Sequence, residues 1–331
     1  MKIIKKNNTI ILLIITIIVL YVVLKNDFND IIRAFQTIDS KYIVVALLFY
    51  SLSIGIKGAV NYIIVNDKTK ISLKEAIKHN WIVQLFNGVT PFATGGEPME
   101  VYMLTEHDIP VATATNYTIQ AFICYQTALV LFGLFAVTYN AIFHIFPKVV
   151  LLSRLVLLGF GINIMVIIIL FTIANSKRVS SKLGRIFIKI SKKLKLKVSE
   201  EDVYKKIEDY QRGMSETKKR KGLMFKGVLM NLVSLSCLYV TPLFVLFSMG
   251  DFTNLSLLNA LTSSAYVYVM GAFVPIPGAS GGIEFGFTQF YGNFIGKSKM
   301  GAVLLLWRFI TYYLGIIIGA LIFNLEKKVK R

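Results

Sequence analysis

FNGVTPFATGGEPMEVYML, residues 86–104, and FVPIPGASGGIEFGFTQF, residues 273–290, decide how this chain is organised. Each lies inside an apolar region, 80–106 and 257–296, that is greasy enough for a membrane span but carries residues a continuous helix tolerates badly. Asn87, Pro91, Gly95, Gly96 and Pro98 interrupt the first; Pro275, Pro277, Gly278, Gly281 and Gly282 interrupt the second. A proline inside a helix removes a backbone donor and clashes with the turn before it, and glycine adds a conformational cost of its own. Each region is therefore expected to form two half-helices around a break. Both breaks run from a proline to Gly-Gly to a glutamate, which makes them a weak internal repeat.

Uninterrupted apolar windows surround them. Crossing a bilayer takes about 20 helical residues for roughly 30 Å of hydrocarbon, and such windows occur near 9–24, 42–65, 112–138, 149–174, 223–248 and 300–325. The start MKIIKKNN and the run 10–24 have the form of a signal peptide, but Lys25, Asn26, Asp27 and Phe28 offer no small-residue cleavage site, so an uncleaved first helix is expected. The chain has 331 residues, 55% of them hydrophobic, with 37 Lys and Arg against 18 Asp and Glu. Its mean hydropathy is +0.63. That pairing of greasy stretches with a basic excess excludes an ordinary soluble globule. The expected fold is an all-α polytopic domain over 1–331, with about six full spans and two broken hairpins.

The basic residues orient the spans. If both broken regions enter and leave on one face, segments 1–8, 66–79, 175–222 and 327–331 share a side and hold 27 Lys and Arg, whereas 25–41, 139–148, 249–256 and 297–299 hold 6. The asymmetry predicts a cell-membrane protein with both termini cytoplasmic. The first hairpin would enter from the cytoplasm and the second from outside, as an inverted repeat. In such folds the substrate site lies at the repeat interface near the midplane, because backbone freed by a broken helix must be satisfied by protein or a wet cavity.

Residues 176–222 are the one sizeable segment outside the apolar windows. Leu183, Ile186, Phe187, Ile190 and Leu194 recur at helical spacing among Lys182, Arg185, Lys189, Lys192 and Lys193. A basic amphipathic helix over 182–197 would suit anionic lipids of the inner leaflet. Nucleic acid is not expected as a partner, since base-stacking aromatics are not interleaved with the charge. Val203, Ile207, Tyr210 and Met214 form a second apolar stripe able to pack back on the first.

Ionisable groups at membrane depth are costly and are functional candidates by default. Glu97 and Glu284 follow the two Gly-Gly pairs, where a half-helix begins with its positive dipole end inward. Two such ends could bind a phosphate-sized anion, or the two acids could occupy them as caps. Arg308 sits too deep in LLLWRFITYY to snorkel and should pair with a carboxylate or a ligand phosphate. Lys57 is similar, though its flexible stem could reach an interface. Glu100 is close enough to the first break to matter and Glu106 is not; Arg154 reads as an anchor, and Asn87 and Asn61 as amides that satisfy freed backbone. Oligomerisation is left open.

Enzyme motifs do not survive their context. Gly278 to Gly282 fits GxSxG, but a nucleophile elbow needs a strand, a turn and a helix with a positioned histidine. Gly292 to Ser298 is one residue short of a P-loop and follows no strand. His79, His107 and His144 lack metal-ligand spacing, and Cys124 and Cys237 lie alone in hydrophobic runs, so no metal or cofactor is expected and the cysteines read as packing residues.

NGVTPFATGGEP at 87–98, PIPGASGGIE at 275–284 and the later Arg308-Phe-Ile-Thr-Tyr-Tyr together resemble the transmembrane region of the lysylphosphatidylglycerol synthase and flippase family, across essentially the whole chain. The resemblance implies a module that moves an anionic or aminoacylated phospholipid between leaflets and so aids resistance to cationic antimicrobial peptides. Relatives that also make the lipid carry a soluble synthase domain. Residues 176–222 are too short to be one, so lysyltransferase activity is not expected. Arg308 would hold the phosphate, Glu97 and Glu284 would balance its charge or contact a cationic headgroup, and Gly95, Gly96, Gly281 and Gly282 would let backbone approach closely. The rival expectations are a transporter of a small soluble anion or amino acid, and a noncatalytic membrane partner of a lipid-modifying enzyme.

Overall fold

The computed structural model describes residues 38–65, 71–146, 150–193, 199–218, 220–271 and 274–329. The expected span at 9–24 lies outside them. All regular elements among the described residues are helical. In chain order they are α1 (Ser40–Val65), α2 (Leu73–Val89), α3 (Gly96–Thr105), α4 (Val111–Phe143), α5 (Val150–Asn175), α6 (Lys177–Lys193) and α7 (Glu200–Lys218), then α8 (Lys221–Tyr239), α9 (Thr241–Ser248), α10 (Leu257–Gly271), α11 (Gly282–Tyr291), α12 (Lys297–Arg308) and α13 (Leu314–Val329).

Among the described residues, five segments are long and apolar enough to cross a membrane: α1, α4, residues 156–175 of α5, α8 with α9, and α12 with α13. They coincide with five of the six windows read from the sequence. Their outward faces explain why water is the wrong solvent. Val44, Leu48 and Leu52 make an exposed stripe at four-residue spacing on α1, and Leu157, Met165, Ile168 and Phe171 lie exposed on α5. Apolar faces this continuous are rare on soluble monomers and match hydrocarbon. The chain is a multi-pass membrane protein.

Without a strong hydrophobic drive between helices in lipid, close backbone approach and buried polar contacts hold a bundle together. Gly58 of α1 lies against Ile77 of α2, Gly319 of α13 lies against the Trp81 carbonyl, and Ser53 and Ser234 exchange hydroxyl contacts at 3.0 Å between α1 and α8. Helices α2 and α13 run antiparallel, tied by the Tyr312 hydroxyl donating to Gly88 O at 2.9 Å and, toward the other end, by Lys78 and Glu326 at 3.3 Å. Cys124 and Cys237 are free and buried, as packing residues should be.

Both interrupted regions fold as helix, break, helix: α2 and α3 around the tight turn Pro91–Ala93, α10 and α11 around Pro277–Ala279. Helix α4 relates the two. It starts just after α3, at the stem of the first hairpin, and its far end meets the stem of the second, where Tyr139 donates to Asn259 at 3.2 Å and Asn293 donates to Ile145 O at 3.0 Å. The stems thus sit at opposite ends of the bundle, and the two turns pack against each other.

The internal repeat is visible in backbone torsions. Thr90 and Ile276 are extended (φ −112°, ψ 146° and φ −116°, ψ 143°), a proline follows each, and Phe92 and Gly278 are left-handed at φ 54° and 67°. Ala93 and Ala279 remain left-handed at φ 52° and 51°. Non-glycine residues enter that region only at a cost of about 1–2 kcal/mol each, so three of these four positions are strained in the same way. The copies diverge at the glycines: Gly95 is right-handed helical (φ −85°) and Gly281 is not (φ 88°).

Segment 176–222 contains two helices. Gly184 of α6 packs against Tyr204 and Ile207 of α7, the expected contact, but Tyr210 and Met214 instead join Ile123 of α4, with the Tyr210 hydroxyl donating to Leu170 O of α5 at 3.0 Å. On α6 the buried apolar residue is Ile188, while Ile186, Phe187 and Ile190 stay about half exposed beside exposed Arg185, Lys189 and Lys192. Leu194 lies outside the described residues.

Candidate functional site

Where the two turns meet α1, α4 and α12, a cavity of about 490 Å³ opens, and Lys57, Asn87, Glu97, Glu100, Arg308 and Tyr312 lie on its wall. Lys57, Asn87, Gly96, Glu97 and Arg308 were all named from sequence, and the fold brings them to this one place; Asn61 lines it too. Gly95, Gly281, Gly282 and Glu284 belong to the breaks that frame it. Glu106 is exposed at the end of α3, and Arg154 is exposed on α5.

The first break is satisfied by its own side chains. Thr90 donates its hydroxyl to Phe86 O at 2.7 Å and accepts the Gly95 amide at 2.9 Å; the Asn87 side-chain oxygen accepts the Gly96 amide at 2.7 Å. A side chain at position 96 would meet the Asn87 amide nitrogen at 2.6 Å and push Asn87 off the Gly96 amide, so glycine suits this close approach. The Gly95 and Gly96 amides at the start of α3 are therefore occupied, by Thr90 and Asn87 from across the break. Asn87 accepts a freed backbone amide, as its sequence position suggested.

The second break works differently. Glu284 accepts the Gly281 amide at 2.6 Å through one oxygen and faces Arg308 Nε at 2.9 Å through the other. The Nε hydrogen is not directed along that line, so the contact is electrostatic. The directed bond from this guanidinium runs from Nη2 to Gly278 O at 3.0 Å. Its central carbon, Cζ, lies 4.4 Å from the ring centre of Tyr312, a cation–π distance. Arg308 is only 4% exposed, so carboxylate, carbonyl and ring together replace the water it has lost.

Across the cavity, Lys57 Nζ sits 4.7 Å from the ring centre of Tyr125, and Lys57 interacts electrostatically with Glu97. Gln126 of α4 and Asn163 of α5 pair their side-chain amides in the same wall. Two cations and two carboxylates thus surround one polar space among apolar helices, an arrangement able to hold a phosphate and an ammonium together. Tyr125 and Tyr312 were not singled out from the sequence. An aromatic one helical turn from a buried arginine, as Tyr312 is from Arg308, was the available signal.

Arg308 and Tyr312 owe their positions to Phe309–Tyr313, a turn of π-helix between α12 and α13. Such bulges rotate the residues that follow and are frequent at functional sites.

Residues 9–319 match the family described as the lysylphosphatidylglycerol synthase TM region. The chain belongs to this family. Both breaks and every charged residue of the cavity fall within the part matched to the lysylphosphatidylglycerol synthase TM region. A UPF0104 membrane protein of Archaeoglobus fulgidus is 25% identical over 244 residues, 71% of each chain.

Proposed function

We propose that the chain is a lipid translocase in which the headgroup of an anionic or aminoacylated phospholipid, such as lysylphosphatidylglycerol, enters the cavity between the hairpin tips while its acyl chains stay in the bilayer. One observation carries this reading: Lys57, Glu97, Glu100 and Arg308 share one cavity inside a bundle whose outer faces are apolar. Charged groups at such depth are expensive and pay their way only as partners of one another or of a substrate. Family membership supports a lipid substrate.

In this reading the two hairpins are re-entrant, the first from the cytoplasm and the second from outside, with the termini cytoplasmic and a sixth span at 9–24. Arg308 and Lys57 hold the phosphate. Glu97 contacts a headgroup ammonium, and Glu284 holds Arg308 in place. The exposed apolar and basic residues of α6 rest on anionic lipid. Outward movement of an aminoacylated lipid would reduce surface negative charge and with it the binding of cationic antimicrobial peptides.

Leaflet exchange of headgroup-labelled phosphatidylglycerol, its lysyl form and a polyprenyl phosphate in liposomes holding the purified protein tests the proposal. Exchange of one class, lost in Glu97→Gln or Arg308→Ala protein that is still folded, is the expected result. Saturable uptake of a small anion or amino acid with no lipid exchange would replace this reading with the soluble-solute transporter.

A further inference from the structure

His79 of α2 and Glu100 of α3 face each other across the stem of the first hairpin, with His79 Nδ1 and Glu100 Oε1 3.9 Å apart. They are 3% and 4% exposed. At 3.9 Å no hydrogen bond forms, and both His79 Nδ1 and Glu100 Oε2 are buried without a hydrogen-bond partner. Buried polar groups are nearly always paired, so two unpartnered atoms on adjacent titratable side chains mark the pair as unusual. An imidazole is the side chain that takes up and releases protons near neutral pH, and chains of histidines and carboxylates form proton relays through membrane proteins.

The pair lies between the end of the bundle and the cavity. Toward the end of the bundle the His107 ring centre is 5.5 Å from that of His79, His107 is half-buried, and Glu75 of the first turn of α2 interacts with both histidines. On the inner side Glu100 itself lines the cavity, with Glu97 one helical turn before it and Lys57 of α1 acting on Glu97. From α13, Glu326 is already paired with Lys78. From α4, Thr118 and Tyr125 complete the neighbouring wall.

We propose that His79 and Glu100 are a proton-transfer pair, and that a proton arriving at Glu100 competes there with the ammonium of an aminoacylated headgroup. His79 takes the proton from Glu100 at one ring nitrogen and gives one up at the other toward the His107 side, and the carboxylate that loses it regains its charge. A neutral Glu100 no longer holds an ammonium, so proton and headgroup move in opposite directions. This rests on the lipid reading above and adds its driving force.

The experiment uses liposomes holding the full chain, with fluorescent lysylphosphatidylglycerol and, as control, fluorescent phosphatidylglycerol. With one proton exchanged per headgroup, a gradient of one pH unit supports a leaflet ratio of about ten, with the lysyl lipid gathered in the leaflet facing the acidic side. Protein-free liposomes and phosphatidylglycerol should show no such asymmetry. His79→Gln protein should still exchange the lysyl lipid but leave the leaflets even. Wild-type exchange without asymmetry, or full asymmetry in His79→Gln, overturns the proposal and leaves the lipid reading standing. If no lipid exchanges at all, the lipid reading fails, and the pair is judged on its own: the nitrogen NMR shifts of the His79 imidazole must change in Glu100→Gln, and unchanged shifts overturn it.

Discussion

Arg308 of α12 and Glu284 of α11 meet at 2.9 Å, and the same guanidinium holds Gly278 O of the turn that precedes α11. The arginine is 5% exposed at its side chain and the carboxylate 33%. Removing one partner of a fully buried pair costs about 3–5 kcal/mol, and the partial exposure of Glu284 reduces that. A double-mutant cycle of Arg308→Ala and Glu284→Ala in detergent unfolding is expected to give a coupling of about 1–3 kcal/mol. Additive effects would remove the pair from the account of the second break.

Gly278→Ala and Gly281→Ala should differ although both glycines have positive φ, 67° and 88°. A methyl group at 278 would meet the Tyr312 hydroxyl oxygen at 2.6 Å, whereas nothing lies within 4 Å at 281. Gly281→Ala carries backbone strain of about 1–2 kcal/mol alone. Gly278→Ala adds a clash and should lower stability further, as read by thermal inactivation of the purified protein. Equal losses would mean that the turn relaxes away from Tyr312.

Tyr312→Phe deletes the hydrogen bond to Gly88 O at 2.9 Å and little else. The loss should be about 1 kcal/mol, since a buried carbonyl is left without its donor. Hydrogen exchange at the end of α2 should rise with it, and unchanged protection there would show that the contact holds nothing.

Lys57 and Glu97 interact across the cavity, so they should set headgroup preference rather than stability. Lys57→Gln is expected to slow exchange of phosphatidylglycerol at least about tenfold, the discrimination one charge-assisted contact provides. Glu97→Gln should slow the lysyl lipid more than phosphatidylglycerol. Equal slowing of both lipids by both variants would argue against a divided site.

Ser72 begins α2 with a reciprocal cap: its hydroxyl accepts the Glu75 amide at 3.2 Å, and Glu75 accepts the Ser72 amide at 2.8 Å. These bonds from Ser72 hold the Glu75 carboxyl below its usual range. A depressed carboxylate stabilises fully above its unfolded value, about 4.3, and loses that contribution as pH falls through the lower folded value. Ser72→Ala should cost about 1 kcal/mol at neutral pH, and the difference from wild type should narrow below about pH 4. A difference that grows on acidification would contradict the cap.

The breaks and the spans could be read from the sequence because proline, glycine and long apolar runs act locally. Pro91 and Pro277 open the two turns in the same way, and the turns match torsion by torsion through Ala93 and Ala279. Arg308 was expected to seek a carboxylate, and Glu284 is one. Three features escaped. The acids of the two copies are offset by one residue, Glu97 aligning with Ile283, so only Glu284 caps its own half-helix while Asn87 and Thr90 do that work in the first break. His79 and Glu100 meet only because the first hairpin folds back on itself, and no spacing rule links positions so far apart. The stripe Ile186, Phe187 and Ile190 shows its period in the sequence, but which face of α6 would be covered depended on where α7 docked.

The π-helical turn has a mechanical corollary. Arg308 and Tyr312 stand four residues apart on one helix; the first grips the tip of one hairpin through Gly278, and the second grips the other through Gly88. Both hairpins therefore hang from a single peg. A small rotation of that peg, the kind of motion a widened turn admits more readily than a tight α-helix, would slacken both attachments at once, so the two hairpins share one latch instead of having a bolt each.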